Sequence, residues 1–266
     1  MNRFVSLVLA GLAGVACTAG AQAIHLSPGE QDGVQLLLLR PDLRGGGVDF
    51  PSFGAFLSGR ITLSEHTRLL LEFPAANVMS SGTSDFGIGN PMLGIEVGAA
   101  GGSLLGQFGL RLPLAADANA APLFGWLSDI TTLESWGVDL ASFTAQALFQ
   151  EHPGGEFVVE GAIGPSALFP TGGGDAEVLL HYAFRAGYEN GVVRAVAGYN
   201  GITVILESGT LAERTLDQFV ATLRVRAGTL MPLAWIGLPL DESYSNTVGV
   251  VLGLGIEFPV GPAPAP

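Results

Sequence analysis

The chain contains no lysine, only one cysteine and few charged residues of either sign. All eleven basic residues are arginine, and charged residues make up 13% of the 266 positions, against about 25% in an ordinary soluble domain. The net charge is −13. Without a basic stripe on an acidic chain, nucleic acid is excluded as a partner class.

Long apolar runs are also lacking after residue 23. No later stretch reaches the roughly 18 apolar residues expected of a membrane helix. Yet 48% of the residues are hydrophobic, and mean hydropathy is +0.45. Such dispersed hydrophobicity is typical of a membrane β-barrel, in which only alternate residues of each strand face lipid.

The first 23 residues have the pattern of a secretory signal peptide. A short positive start at Arg3 precedes the apolar segment 4–16, and Ala21-Gln22-Ala23 supplies a small-x-small cleavage site. Residues 24–258 then form the barrel, and the Pro/Ala-rich residues 259–266 form a disordered tail. Cys17 lies in this leader. It would be the acylated residue of a lipoprotein, although residues 14–16 lack the usual leucine.

Cofactor and metal chemistry have little support in the sequence. Cleavage after Ala23 removes the only cysteine, so neither disulfides nor thiolate metal sites are expected. The four histidines show no ligand spacing. We therefore expect no cofactor and no metal.

Short alternating segments separated by turn signals fill the chain from residue 31 onward, and twelve of them are predicted strands. Connections after even-numbered strands are short and most of the others are longer, as in outer-membrane barrels of Gram-negative bacteria. The sequence therefore predicts an all-β fold, a closed antiparallel transmembrane β-barrel of about twelve strands in outer-membrane lipid. A soluble two-sheet sandwich also alternates, but its outward face should be polar. The predicted strands are 34–40, 53–63, 67–73, 86–98, 103–112, 140–150, 156–169, 175–188, 192–206, 216–227, 232–238 and 247–258.

The alternation also assigns side chains to the two faces of the wall. In the last strand, residues 248, 250, 252, 254, 256 and 258 form the lipid-facing side, opposite Glu257. The same reasoning predicts a charged lumen, interpreted either as an open pore selective for anions or as a lumen filled by its own paired side chains. The predicted lumenal residues are Arg60, Arg68, Glu72, Glu96, Arg111, Glu160, Glu177, His181, Arg185, Arg194, Arg224 and Arg226.

The longest connection, 113–139, carries three large aromatic residues, Phe124, Trp126 and Trp136. The spacing of residues 127, 130, 133 and 136 predicts a short amphipathic helix there. This loop is interpreted either as a constriction that folds into the barrel or as an aromatic anchor at the membrane interface.

His181 is the best candidate for catalysis, because it shares a predicted face with Glu177 and Arg185. Together with Ser166 it could act as a lipase-type base. The His-x-Ser-Asn-Gly motif of twelve-stranded outer-membrane phospholipases is absent. The sequence therefore favours a protein that is not an enzyme.

Residues 84–94, SDFGIGNPMLG, resemble a glycine-rich segment of outer-membrane transporter-like proteins related to the phenol meta-pathway outer-membrane protein. The hairpin 59–69 with Glu72-Phe73-Pro74, and residues 109–113, GLRLP, also fit this family. The resemblance covers about 53–113 in sequence and the remainder in architecture only. It implies a channel for small, often hydrophobic, compounds.

The last strand also resembles the terminal signal that the barrel-assembly machinery reads. Gly253, Ile256 and Phe258 match its glycine, hydrophobic and final aromatic positions, which implies that this machinery is a partner. The combined hypothesis is a passive channel for a small-molecule solute. A structural or adhesive barrel with a plugged lumen is the first alternative, and a barrel lipid hydrolase is the second.

Overall fold

The computed structural model describes residues 32–45, 52–98, 102–115, 120–206 and 214–260. These residues form one antiparallel sheet that closes on itself, because β2 pairs with β3 as well as with β1. The strands are β1 Gly33–Leu43, β2 Phe53–Ser64, β3 Thr67–Ser80, β4 Thr83–Ile88, β5 Met92–Gly98, β6 Leu104–Arg111, β7 Leu140–Glu151, β8 Phe157–Pro170, β9 Glu177–Glu189, β10 Val193–Val204, β11 Thr215–Val225, β12 Met231–Pro239 and β13 Val248–Pro259.

Two of these thirteen segments, β4 and β5, are halves of one barrel strand interrupted at residues 89–91. β5 pairs with the first half of β3, and β4 pairs with its second half. Pro74 lies in β3 opposite the interruption. Proline cannot donate to a ladder, so it suits the point where regular pairing stops. The barrel therefore has twelve strands, as the sequence predicts.

The two faces of the wall differ sharply in exposure. In β1, Leu37 and Leu39 are 1% and 0% exposed, whereas Leu36 and Leu38 are 38% and 39% exposed. A strand turns successive side chains to opposite faces, so the first pair points inward and the second lies on the apolar outer surface. This alternation follows the predicted pattern in most strands.

Val248 departs from the predicted faces. The register between β1 and β13 shifts from Pro41↔Val251 to Leu43↔Val248, which marks an irregularity of the bulge type. One extra residue reverses the facing of everything beyond it. Val248 is therefore completely buried inside the barrel, and its assignment to the lipid side is wrong.

The third strand is longer than its sequence indicates. The Phe73-Pro74 pair predicts an end at residue 73, but β3 continues to Ser80 and pairs with β4 through a turn at Ser81 and Gly82. Both turn residues have positive φ, as a two-residue hairpin turn requires.

Three short helical segments accompany the strands in the described part of the chain. Helix α1, Ala120–Ser128, and a 3-10 helix, Ile130–Ser135, lie in the long connection between β6 and β7, and α2, Glu242–Thr247, precedes β13. Within the described ranges, no helix has the length and hydrophobicity needed to cross a membrane.

Both predicted terminal segments fall largely outside the described residues. The signal peptide, 1–23, lies wholly outside them, and the tail is described only for residues 259 and 260. Strand β13 includes Pro259, and Val260 donates a hydrogen bond from its N–H to the carbonyl of Asp32. The three assembly-signal residues lie in β13. Phe258 is exposed, Ile256 is half-buried and Gly253 is buried.

Candidate functional site: the lumen and its inward loop

Ion pairs fill the lumen near the tight turns, the end that faces the periplasm in outer-membrane barrels. Glu96 of β5 accepts from Arg68 Nη1 at 2.7 Å and lies 3.4 Å from Arg60 Nη2. Gln107 of β6 donates to its second oxygen at 2.9 Å. Arg60 and Glu96 are each 1% exposed, so this group leaves little open space.

A second group of ion pairs occupies the opposite wall at the same end. Glu160 of β8 bridges Arg185 of β9 and Arg194 of β10, and Arg194 also contacts Glu189 at 2.6 Å. Arg224 of β11 lies 3.4 Å from Glu257 of β13. Arg194 and Arg224 are direct cross-strand neighbours. Such like charges are tolerated because each has its own carboxylate partner.

Arg111 and Glu72 form an ion pair deeper in the barrel. Arg111 Nη2 lies 2.7 Å from Glu72 Oε1, and both side chains are almost wholly buried. Arg111 Nη1 also donates to the carbonyl of Asn90 at 3.1 Å. This pair therefore joins the charged half of the lumen to the interruption between β4 and β5.

The connection between β6 and β7 folds into the barrel, and residues 120–139 are called the inward loop below. Phe124 and Trp136 of this loop are each 3% exposed. The Trp136 ring meets Phe56 of β2 edge-on, with centroids 5.8 Å apart. A Cβ on Gly125 would lie 2.5 Å from the indole of Trp136. Only glycine at residue 125 therefore lets α1 pack this closely on the ring.

Asn90 ties the inward loop to the near wall. Its Nδ2 donates to the carbonyls of Glu134, Gly137 and Leu140 at 3.0, 2.6 and 3.1 Å. Its Oδ1 accepts from the N–H groups of residues 114 and 115, both at 2.8 Å. Its own N–H donates to the Ser135 carbonyl at 2.6 Å. The interruption at 89–91 thus places one buried amide among five main-chain groups.

Two polar contacts tie the same loop to distant walls. His181 Nε2 of β9 lies 3.1 Å from Glu134 Oε1, and Gln218 Nε2 of β11 donates to Asp129 Oδ1 at 2.9 Å. Strand β9 is four strands along the sheet from the interrupted strand, and β11 is six. In a twelve-stranded barrel six strands is the opposite side. The inward loop therefore spans the lumen.

The electrostatics of Glu134 favour its charged form. Burial alone raises the pKa of this carboxyl, but His181 and, to a smaller extent, Arg111 outweigh that effect, and the pKa is lowered. Lowering means that the surroundings stabilise the carboxylate. His181 Nδ1 has no hydrogen-bond partner among the described residues.

Helix α2 contacts the inward loop through Tyr244. Asp241 caps it by accepting from the N–H of Tyr244. The Tyr244 hydroxyl donates to the carbonyl of Leu127 at 2.7 Å. Burial, together with the nearby charge of Asp129, raises the pKa of this phenol, so it remains a donor.

The predicted lumenal residues occupy different levels of the barrel. Glu177 is exposed at the outer end of β9, whereas Arg226 is half-buried just beyond the periplasmic end of β11. Arg68 keeps 23% of its side chain exposed. Of the three loop aromatics, Phe124 and Trp136 are buried and Trp126 is partly buried. The remaining predicted residues lie in the ion-paired groups or at the contact of His181 with Glu134.

Four residues of the site were missed in the sequence: Asn90, Asp129, Glu134 and Gln218. The loop acids carry no strand alternation, so nothing in their spacing signals burial. Asn90 lies between glycine and proline, which is the ordinary composition of a turn. Gln218 alternates correctly with outward Phe219 and could have been found by extending the inward assignment to uncharged polar residues.

The hydrolase geometry is not formed around His181. The Ser166 hydroxyl is bonded to Thr144 Oγ1 at 2.9 Å, and within the described residues no hydrogen bond joins it to His181. A nucleophile and its base must lie within hydrogen-bonding reach. Across the same residues, no cluster of three potential metal ligands is found.

Comparison with solved structures shows the same architecture elsewhere. The COG4313 outer membrane channel from Pseudomonas putida F1 aligns at 12% identity over 92% of this chain and 98% of that chain, with a TM-score of 0.59. LpxR from Salmonella typhimurium aligns at 11% identity over 85% and 99%, with a TM-score of 0.51. The chain therefore shares the closed antiparallel β-barrel fold of these outer-membrane proteins. No protein-family model and no curated protein matches the sequence.

Proposed function

We propose that this outer-membrane barrel is a passive channel for small solutes whose closed state is set by the inward loop. The supporting observation is that a connection tethered to the wall through β6 and β7 spans the lumen. A barrel whose lumen is already filled by the side chains of its wall needs no such loop. The fold shared with a protein described as an outer membrane channel supports the same proposal.

The side chains of the lumen indicate which class of solute such a channel would favour. Ion-paired arginines line the periplasmic half of the lumen, and Arg68 and Arg226 retain exposed surface near the mouth. Positive side chains at a pore mouth favour anions. An apolar cluster inside the outer half, including Phe56, Phe124 and Trp136, would suit apolar parts of a solute. The barrel-assembly machinery remains the proposed assembly partner.

A structural barrel with a permanently plugged lumen is the second candidate. The observation that favours it is the very low exposure of the charged lumen, since Arg60 and Arg111 are each 1% exposed. A lumen filled by its own side chains conducts nothing. The two candidates predict different electrical behaviour for the same purified protein.

Planar-bilayer recording separates the candidates. A gated channel gives brief conductance steps, and Arg68→Gln with Arg226→Gln shifts the reversal potential in a salt gradient toward cations. Arg40→Gln is the control, because Arg40 is exposed on the outer face of β1, and it leaves the reversal potential unchanged. Silence of the wild type and of all variants, including those with a destabilised loop, would support the plugged barrel.

A further inference from the structure

The inward loop is held differently on its two sides. On the near side it is covalently joined to β6 and β7, and Asn90 binds it through main-chain carbonyls. Toward the distant wall the side-chain contacts include Glu134 with His181 and Asp129 with Gln218. The near side of the loop can therefore stay attached as a hinge while the far side moves.

The polar far contacts, which lie beside an apolar cluster shared by Ile130 of the loop and Val220 of the far wall, are of a kind that water can replace. A released carboxylate, imidazole or amide regains hydrogen bonds in solvent, whereas a released apolar surface does not. The pair of Glu134 and His181 is also incompletely satisfied. The two side chains approach to 3.1 Å, but Glu134 Oε2 and both ring nitrogens of His181 have no hydrogen-bond partner among the described residues. Release of this pair therefore costs less than release of a fully hydrogen-bonded one.

We propose that Glu134 and His181, assisted by Asp129 and Gln218, form a releasable latch that holds the inward loop across the lumen, with Asn90 as its hinge. Charged groups near the latch include Arg111, which is paired with Glu72 and acts on Glu134, and Arg185, which acts on Asp129. This inference deepens the proposed channel function and rests on it for its biological meaning. The latch affects the position of the inward loop, so it can be tested without measuring conductance.

The reporter is a cysteine at Ser135, whose hydroxyl is wholly buried in the 3-10 helix. In a Cys17→Ala background, Ser135→Cys is the only thiol. Its reaction with a water-soluble maleimide in detergent measures how often the loop leaves the lumen. Glu134→Gln and His181→Gln, which nearly preserve volume, should each accelerate labelling at least about tenfold, the factor that corresponds to about 1.4 kcal/mol.

The matched control is His152→Gln. His152 forms a similar pair with Glu189, at 3.2 Å, but it lies at a periplasmic turn and is 41% exposed. Its loss should leave labelling unchanged. Heat-modifiable gel mobility checks that each variant keeps the barrel, and a variant that loses it is replaced by Gln218→Leu, which breaks the neighbouring contact.

The double variant Glu134→Gln with His181→Gln completes the test. If the two residues act as one latch, the second substitution adds little to the first. Labelling of His181→Gln no faster than that of His152→Gln, or fully additive effects, would overturn the latch. Fast labelling together with silence in planar bilayers would leave the latch standing and remove the proposed channel function.

Discussion

Replacement of Asn90 by aspartate tests the hinge most severely. The change keeps the oxygen that accepts from residues 114 and 115 but removes the donor to the carbonyls of Glu134, Gly137 and Leu140. A buried acceptor left without a partner costs about 1–3 kcal/mol; the bond to the Glu134 carbonyl is buried and the bonds to Gly137 and Leu140 are part-buried. Since such effects are not fully additive, we expect about 3 kcal/mol in favour of a fully detached loop, in which the hinge contacts of Asn90 are broken as well as the latch.

Chymotrypsin provides the assay. The inward loop contains Phe124, Trp126 and Trp136, whereas strands of a folded barrel resist proteolysis. When opening is fast relative to cleavage, the cleavage rate follows the population of the open form. About 3 kcal/mol therefore predicts cleavage in the loop roughly 100-fold faster in Asn90→Asp than in the wild type.

The control for this prediction is Asn190→Asp in the exposed turn between β9 and β10. Asn190 Oδ1 accepts from the N–H groups of residues 192 and 193, and an aspartate keeps both acceptances. Its cleavage rate should match the wild type. Cleavage of Asn90→Asp within a few-fold of this control would refute the hinge.

Three further predictions follow from the same contacts. Because the pKa of Glu134 is lowered, its charge stabilises loop docking above the ordinary value of 4.5, and that stabilisation is lost as pH falls through the lowered pKa. Labelling of Ser135→Cys with a dipyridyl disulfide, a reagent that still reacts with thiols at acid pH, should therefore rise below about pH 4.5 relative to the same measurement in a variant that also carries Glu134→Gln. Gly89→Ala would place a Cβ 2.3 Å from the Ser135 carbonyl, whereas a Cβ on Gly191 meets nothing within 4 Å; loop cleavage should rise in the first variant and stay constant in Gly191→Ala. Arg111→Met leaves Glu72 buried without its ion pair to residue 111, at a cost of about 3–5 kcal/mol. The urea midpoint of unfolding should therefore fall well below that of the control Arg226→Met, because Arg226 has no ion-pair partner among the described residues. Equal midpoints would contradict the importance of the buried pair.

Much of the wall could be predicted from the sequence because strand alternation is a local property. The inward facing of Arg60, Glu96 and Arg111 follows from a period of two and from the cost of charge in lipid. Val248 shows where this reasoning fails. An irregularity in register is set by pairing with β1, and nothing within the last strand reveals it.

The position of the inward loop could not be predicted in the same way. The position of Glu134 depends on a contact with His181 in a distant strand, and the hinge depends on an interruption whose Gly-Asn-Pro sequence also suits an ordinary turn. The sequence leaves open whether the aromatic loop folds inward or lies at the interface, because both positions bury the same rings. The long-range hydrogen bonds of Asn90 and Gln218 and the contact of Trp136 with Phe56 identify the inward position.

Conductance of a variant in which residues 120–136 are replaced by a short Gly/Ser linker tests most directly whether this loop closes the barrel. The variant must keep heat-modifiable mobility, which shows that the barrel is intact. We expect long-lived conductance steps larger than any step of the full chain. An intact barrel that stays silent without this segment would show that the lumen is closed by its own ion-paired wall.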